Sequence, residues 1–72
     1  MNVKVGDLLY TAAGELAIIK QANLKYSKID TAHVIEWITG SPVTERVDHR
    51  TVEVWRYFYL ANFGANNETG SR

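Results

Sequence analysis

The fold is decided by the stretch VEVWRYFYLANF (52–63), which places four aromatic residues within five positions. Its first four residues alternate, with Val52 and Val54 on one side and Glu53 and Trp55 on the other, as is typical of a strand. A helix here would have apolar residues nearly all round and would be built from mediocre helix formers. A single strand of this length would be about twice the usual one. The pattern therefore predicts a strand to about residue 57, a short 3₁₀ turn near residues 58–62, and an extended end.

Size and composition limit what the chain can be. With 72 residues it forms one domain at most, which we place at residues 1–63, followed by a small, polar, flexible tail at 64–72. There is no cysteine, so disulfides cannot stabilise a domain that is marginal at this size. Self-association is therefore expected to contribute to stability.

Charge and hydropathy exclude some functions. Eight basic and eight acidic residues cancel, whereas general affinity for nucleic acid comes mostly from an excess of positive charge. The apolar runs are far shorter than the roughly twenty residues of a membrane span, and the N-terminus lacks a secretory layout. We expect a cytoplasmic protein that does not contact membranes.

The rest of the chain is predicted to be short strands. Residues 8–11 and 16–21 form a hairpin whose connection has Gly14 at the position that needs a positive φ. Residues 33–38 are the clearest strand, since they are β-branched and aromatic. Residues 23–31 are polar and predict a long loop or hairpin tip. Residues 43–50 are either an exposed edge strand or a loop.

Three segments resemble a known family. VGDLLYTAAGELAII (5–19) resembles the first hairpin of the KOW- and Tudor-type barrels, HVIEW (33–37) their central strand, and VEVWRYFYL (52–60) their penultimate strand and turn. The resemblance implies an all-β fold, a five-stranded SH3-like barrel. Similar barrels are common among short bacteriophage and mobile-element proteins.

A barrel of this size predicts which apolar side chains point inward. If the two valines at 52 and 54 face the interior, Trp55 faces outward. The predicted core consists of Val5, Leu9, Leu16, Ile18, Ile35, Val52, Val54, Leu60 and Phe63.

The aromatic residues that cannot all fit into this core are the main functional prediction. Tryptophan and tyrosine are enriched in binding hot spots, so we expect a non-enzymatic interaction module that binds itself or a host protein. The alternative is that two or three of these rings lie in the core and the others pack on neighbouring side chains. The predicted partner-binding residues are Trp55, Tyr57, Tyr59, Trp37, Tyr10 and Tyr26. The KOW and Tudor resemblance keeps a nucleic-acid-binding alternative open, for which the candidate residues are Lys20, Lys25, Lys28 and Arg56.

No catalytic, metal-binding or cofactor motif is predicted. His33 and His49 lack a recognisable ligand spacing and are expected on a strand face and in a loop. The serines lie in polar segments without a nucleophile-elbow pattern. An oligomeric enzyme with a shared pore, as in the plasmid-type dihydrofolate reductase barrel, is a remote alternative; the stretch to compare is VEVW (52–55).

Overall fold

The structure, a computed structural model, describes residues 2–25 and 30–64. In chain order the elements are strands β1 (Leu8–Tyr10), β2 (Leu16–Lys25), β3 (Thr31–Trp37) and β4 (Thr44–Asp48), helix α1 (His49–Tyr59) and a π-helical turn (Leu60–Gly64). The strands form one antiparallel sheet in the order β1-β2-β3-β4. Among the described residues, no helix has the length and apolar character needed to cross a bilayer.

The hairpin between β1 and β2 is confirmed. Gly14 lies in its connection with a φ of +83°, a conformation that glycine adopts without the steric cost a Cβ brings. The connection is held by the Thr11 hydroxyl, which accepts hydrogen bonds from the main-chain N–H groups of Ala13 and Glu15, both at 3.2 Å. The predicted strand at 33–38 is also confirmed, as β3, and the segment 43–50 contributes the edge strand β4.

The five-stranded closed barrel is wrong, because the described residues form an open four-stranded sheet covered on one face by α1. The residues predicted to continue the sheet from 51 to 57 are helical. Asp48 caps this helix, since its carboxylate accepts hydrogen bonds from the Thr51 N–H at 3.2 Å and the Thr51 hydroxyl at 2.7 Å. A capped first turn satisfies backbone donors that the helix leaves unpaired.

The 3₁₀ turn predicted near residues 58–62 is also wrong, because α1 continues to Tyr59 and then widens into the π-helical turn. The Asn62 side chain donates to the Phe58 carbonyl at 2.7 Å. The turn brings Leu60 against the backbone of Gly64, where an added Cβ would lie 2.5 Å from Leu60 Cδ2. A larger residue at position 64 would therefore require the end of the Leu60 side chain to move. Residues 65–72 of the predicted tail lie outside the described residues.

The predicted core is confirmed in part. Leu9, Ile35 and Val52 are fully buried, because they lie where α1 packs on the sheet. Three others are wrong: Val5, Val54 and Phe63 are exposed, with 60%, 43% and 38% of their surface accessible. The remaining three predicted residues, Leu16, Ile18 and Leu60, are half-buried. Buried apolar residues outside the prediction are Val3, Ala17, Ile19, Ala32 and Val47.

The strand register explains which of the sheet residues are buried. Leu9, Ala17 and Trp37 are neighbours across three strands, so they share the face that α1 covers. Leu8, Ile18 and Glu36 are the next row of neighbours and therefore point to the opposite face. That opposite face has no helix over it among the described residues, which is why Ile18 is only half-buried.

Candidate interaction surface

Helix α1 faces the sheet with side chains spaced three or four residues apart. Val52 is fully buried on the side of the helix that faces the sheet. Trp55 packs against the core cluster that contains Val52. Arg56 follows, with 20% of its side chain accessible. This spacing is that of one helix face, and it decides where each predicted binding residue lies.

Trp37 and Trp55 lie against each other. Their ring centroids are 5.6 Å apart with planes tilted by 59°, and both rings are half-buried against the core. Trp37 also donates its indole N–H to Glu45 Oε1 at 2.9 Å. The outward orientation predicted for Trp55 is therefore wrong, because a helix turns residue 55 toward the sheet and residue 54 away from it.

Tyr10 and Tyr59 meet around Phe63. Tyr10 contacts the Phe63 ring edge-on, and Tyr59 lies against the same ring, each with centroids 5.1 Å apart. The Arg56 guanidinium carbon lies 5.4 Å from the centre of the Tyr59 ring. These two tyrosines are half-buried and much of their surface is already used by contacts within the chain.

Tyr57 occupies the opposite side of α1 and, with 62% of its surface accessible, is the most exposed large hydrophobic residue in the part of the chain that the structure describes. Val54, one turn earlier, is 43% accessible. Phe58 lies beside Tyr57 with ring centroids 6.5 Å apart, and Ala61 is exposed one turn later. We call Val54, Tyr57, Phe58 and Ala61 the outward stripe.

The basic residues proposed for nucleic acid make separate contacts. Lys20 lies 3.7 Å from Glu36 on the sheet face away from α1, and Lys25 is exposed at the end of β2. Arg56 lies on the inward side of α1, where it donates to the Leu8 carbonyl. Tyr26 and Lys28 lie outside the described residues.

His33 and His49 form a contact that the sequence did not predict. His33 is on β3, as expected, but is fully buried, and His49 begins α1 instead of lying in a loop. Their Nε2 and Nδ1 atoms are 2.9 Å apart. On the other side of His33, Nδ1 accepts the Asn23 main-chain N–H at 3.0 Å. Within the described part of the chain, no group of three or more His, Cys, Asp or Glu residues is arranged to hold a metal ion.

The surroundings of His33 favour its neutral form. Burial lowers the pKa of His33 most, because it removes water from the imidazolium, and the neighbouring His49 lowers it further. The carboxylate of Asp48 opposes part of this effect. His33 is thus a buried polar group whose ring nitrogens both have hydrogen-bond partners.

Neither a protein-family model, nor a curated protein, nor a solved structure matches this chain. The outward stripe and the histidine pair are therefore the two features on which a function can rest.

Proposed function

We propose that this chain is a small protein-interaction module that self-associates, and that two copies pair through the outward stripe of α1. The observation that carries the proposal is the exposure of Tyr57 and Val54, at 62% and 43%, on one helix face. A helix that is apolar on both sides is normally covered on both sides. Within residues 2–25 and 30–64, the sheet covers one of these sides and no other element covers the second.

The occupant that fits the stripe is a second copy of the same helix. Arg50 is exposed one turn before Val54, while the aromatic rings of Tyr57 and Phe58 follow it. If two helices pair antiparallel around a two-fold axis near Val54, each Arg50 guanidinium lies against the partner's aromatic rings. Such a contact is favourable because the face of an aromatic ring attracts cations, and a two-fold interface repeats it twice.

The interface is small, which predicts its strength. Helix α1 has 11 residues, so it is about 16 Å long. A single helix pair of this length buries less surface than a stable dimer normally does, and small interfaces belong to weak or transient complexes. We therefore expect a dimer that dissociates on dilution in the micromolar range.

Sedimentation and light scattering of the full chain, from about 10 µM to about 1 mM, test the proposal. Val54→Lys is expected to weaken the dimer at least tenfold, because it places a charge at the centre of the stripe. Val43→Lys is the matched control: Val43 is also an exposed valine, at 53%, but it precedes β4. The control is expected to dimerise as the unchanged protein does.

Two outcomes would contradict the proposal. One is an unchanged protein that stays monomeric at the highest concentration. The other is equal weakening by Val54→Lys and Val43→Lys, which would place the contact outside the stripe. Arg50→Gln tests the antiparallel arrangement separately: loss of the two cation–aromatic contacts is expected to weaken the dimer by about three- to tenfold, whereas a parallel pair would be unaffected.

A further inference from the structure

We propose that His33 and His49 form a latch that attaches the first turn of α1 to β3, closes only when both rings are neutral, and opens as the pH falls. The latch consists of three groups in a row, the Asn23 main-chain N–H and the two imidazole rings. This inference does not depend on the proposed dimer.

The Asn23 N–H fixes the proton on His33. Asn23 has a φ of +60°, at an irregularity in the pairing of β2 with β3, and its N–H lies 3.0 Å from His33 Nδ1. A main-chain N–H can only donate a hydrogen bond. Nδ1 of His33 must therefore be unprotonated, and the single proton of the neutral ring is on Nε2.

The second link follows from the first. His33 Nε2–H points at His49 Nδ1, 2.9 Å away, so that Nδ1 accepts. The proton of neutral His49 is then on Nε2, which lies 3.6 Å from Glu53 Oε2. The backbone amide thus determines the tautomer of both rings.

An added proton has no position in the closed latch. Each ring has one unprotonated nitrogen, Nδ1, and each of these already receives an N–H group. Protonation of His33 would bring its new N–H against that of Asn23. Protonation of His49 would bring its new N–H against that of His33. Either event breaks a link, because two donors face each other.

The charged groups around the pair do not supply a new acceptor. Asp48, at the end of β4, raises the pKa of His33, but by less than burial and His49 lower it. On α1, Arg50 and Glu53 lie beside His49, and the Glu53 carboxylate approaches Nε2, which carries a proton already. The group of β2 that contacts the histidine pair is the uncharged main-chain amide of Asn23.

The sign of the pH effect follows from these pKa directions. Unfolded histidines titrate near about 6.5, and the folded pKa of His33 is lower. The contribution of neutral His33 to stability is therefore complete above about 6.5. It is lost as the pH falls below that value, because the unfolded chain takes up a proton more readily than the folded chain does. Through His33 the unfolding equilibrium constant rises by up to about tenfold per pH unit in that range.

Nuclear magnetic resonance of the ring nitrogens in the full-length protein tests the latch directly. At neutral pH both rings are expected as Nε2–H tautomers, and His33 is expected to titrate below about 6.5. An Nδ1–H tautomer on either ring, or an ordinary titration of His33, would overturn the proposal. This measurement needs no substitution, so it holds even if the variants fail to fold.

Urea unfolding from about pH 8 to about pH 5.5 tests the consequence. His33→Gln and His49→Gln are each expected to reduce the pH dependence of stability, whereas Lys20→Gln, on the sheet face away from α1, is expected to keep it. An unchanged pH dependence in both histidine variants would contradict the latch. Zn²⁺ added at neutral pH is expected to leave the ring signals unchanged; if it shifts them and stabilises the protein, the pair is a metal site and the latch is wrong.

Discussion

Arg56 Nη1 donates a 3.0 Å hydrogen bond to the main-chain carbonyl of Leu8, 48 positions earlier in the chain. The same guanidinium lies 3.8 Å from the carboxylate of Asp7, which is almost fully buried. A single side chain of α1 therefore donates to a carbonyl of β1 and forms an ion pair with the carboxylate beside it. This contact joins the first strand to the helix by a hydrogen bond.

Arg56→Gln is expected to lower the free energy of unfolding by about 1–3 kcal/mol, because it removes a hydrogen-bond donor from the Leu8 carbonyl and an ion pair from Asp7. Asp7 keeps its hydrogen bonds from Lys4. Urea unfolding followed by tryptophan fluorescence, at a concentration where the chain is monomeric, measures the change. Arg50→Gln, on the exposed side of the same helix, is the control and is expected to cost the monomer less than about 0.5 kcal/mol. Equal effects of the two substitutions would show that the Leu8 contact contributes nothing particular.

Trp55→Ala is expected to lower the free energy of unfolding by about 2 kcal/mol, less than for a fully buried tryptophan, and to remove the near-ultraviolet circular dichroism of the Trp37–Trp55 pair. Tyr57→Ala, which truncates an exposed ring on the same helix, is expected to change stability by less than about 0.5 kcal/mol. If Trp55→Ala weakened dimerisation and left stability unchanged, Trp55 would belong to the interface and its contact with Trp37 would be secondary.

Asp48→Ala is expected to cost about 1 kcal/mol at neutral pH through loss of the helix cap, while Asp48→Asn is expected to be nearly neutral there, since asparagine caps equally well. The hydrogen bonds from the Thr51 side chain and backbone lower the pKa of Asp48. Its charge-dependent contribution is therefore present above the ordinary aspartate pKa of about 3.9 and is lost as the pH falls through the lower folded value. Acid unfolding curves that are identical for Asp48 and Asp48→Asn would contradict this.

The β1–β2 hairpin could be predicted because its signal is local. Gly14 occupies a position that needs a positive φ, and the residues on either side have strand composition. The helix could not be predicted from the alternation of residues 52–55, since four residues are too few to distinguish the period of a strand from that of a helix. Asp48, a residue type favoured at helix N-caps, was a usable helix-start signal, and it lay just outside the segment on which the prediction was based.

The exposure of Tyr57 was predicted, whereas the orientations of Val54 and Trp55 were not. The exposure of Tyr57 followed from the small size of the chain. A strand and a helix place different residues on one face, so the predicted orientations of Val54 and Trp55 were the reverse of those in the structure. The histidine pair had no sequence signal. Its two rings come together only because β2 departs from regular pairing at Asn23 and because the helix begins directly at His49.

The two edge strands of the sheet, β1 and β4, influence what kind of assembly the fold permits. On β1 the Leu8 carbonyl is occupied by Arg56, and on β4 the side chains of Thr44, Glu45 and Arg46 are exposed and mostly charged, which discourages strand addition. Strand-to-strand addition would continue without limit and produce fibres, whereas contact through a helix related by a two-fold axis is complete after two copies. Both edges of the sheet thus disfavour open-ended polymerisation, and the helix pair proposed above would be self-limiting.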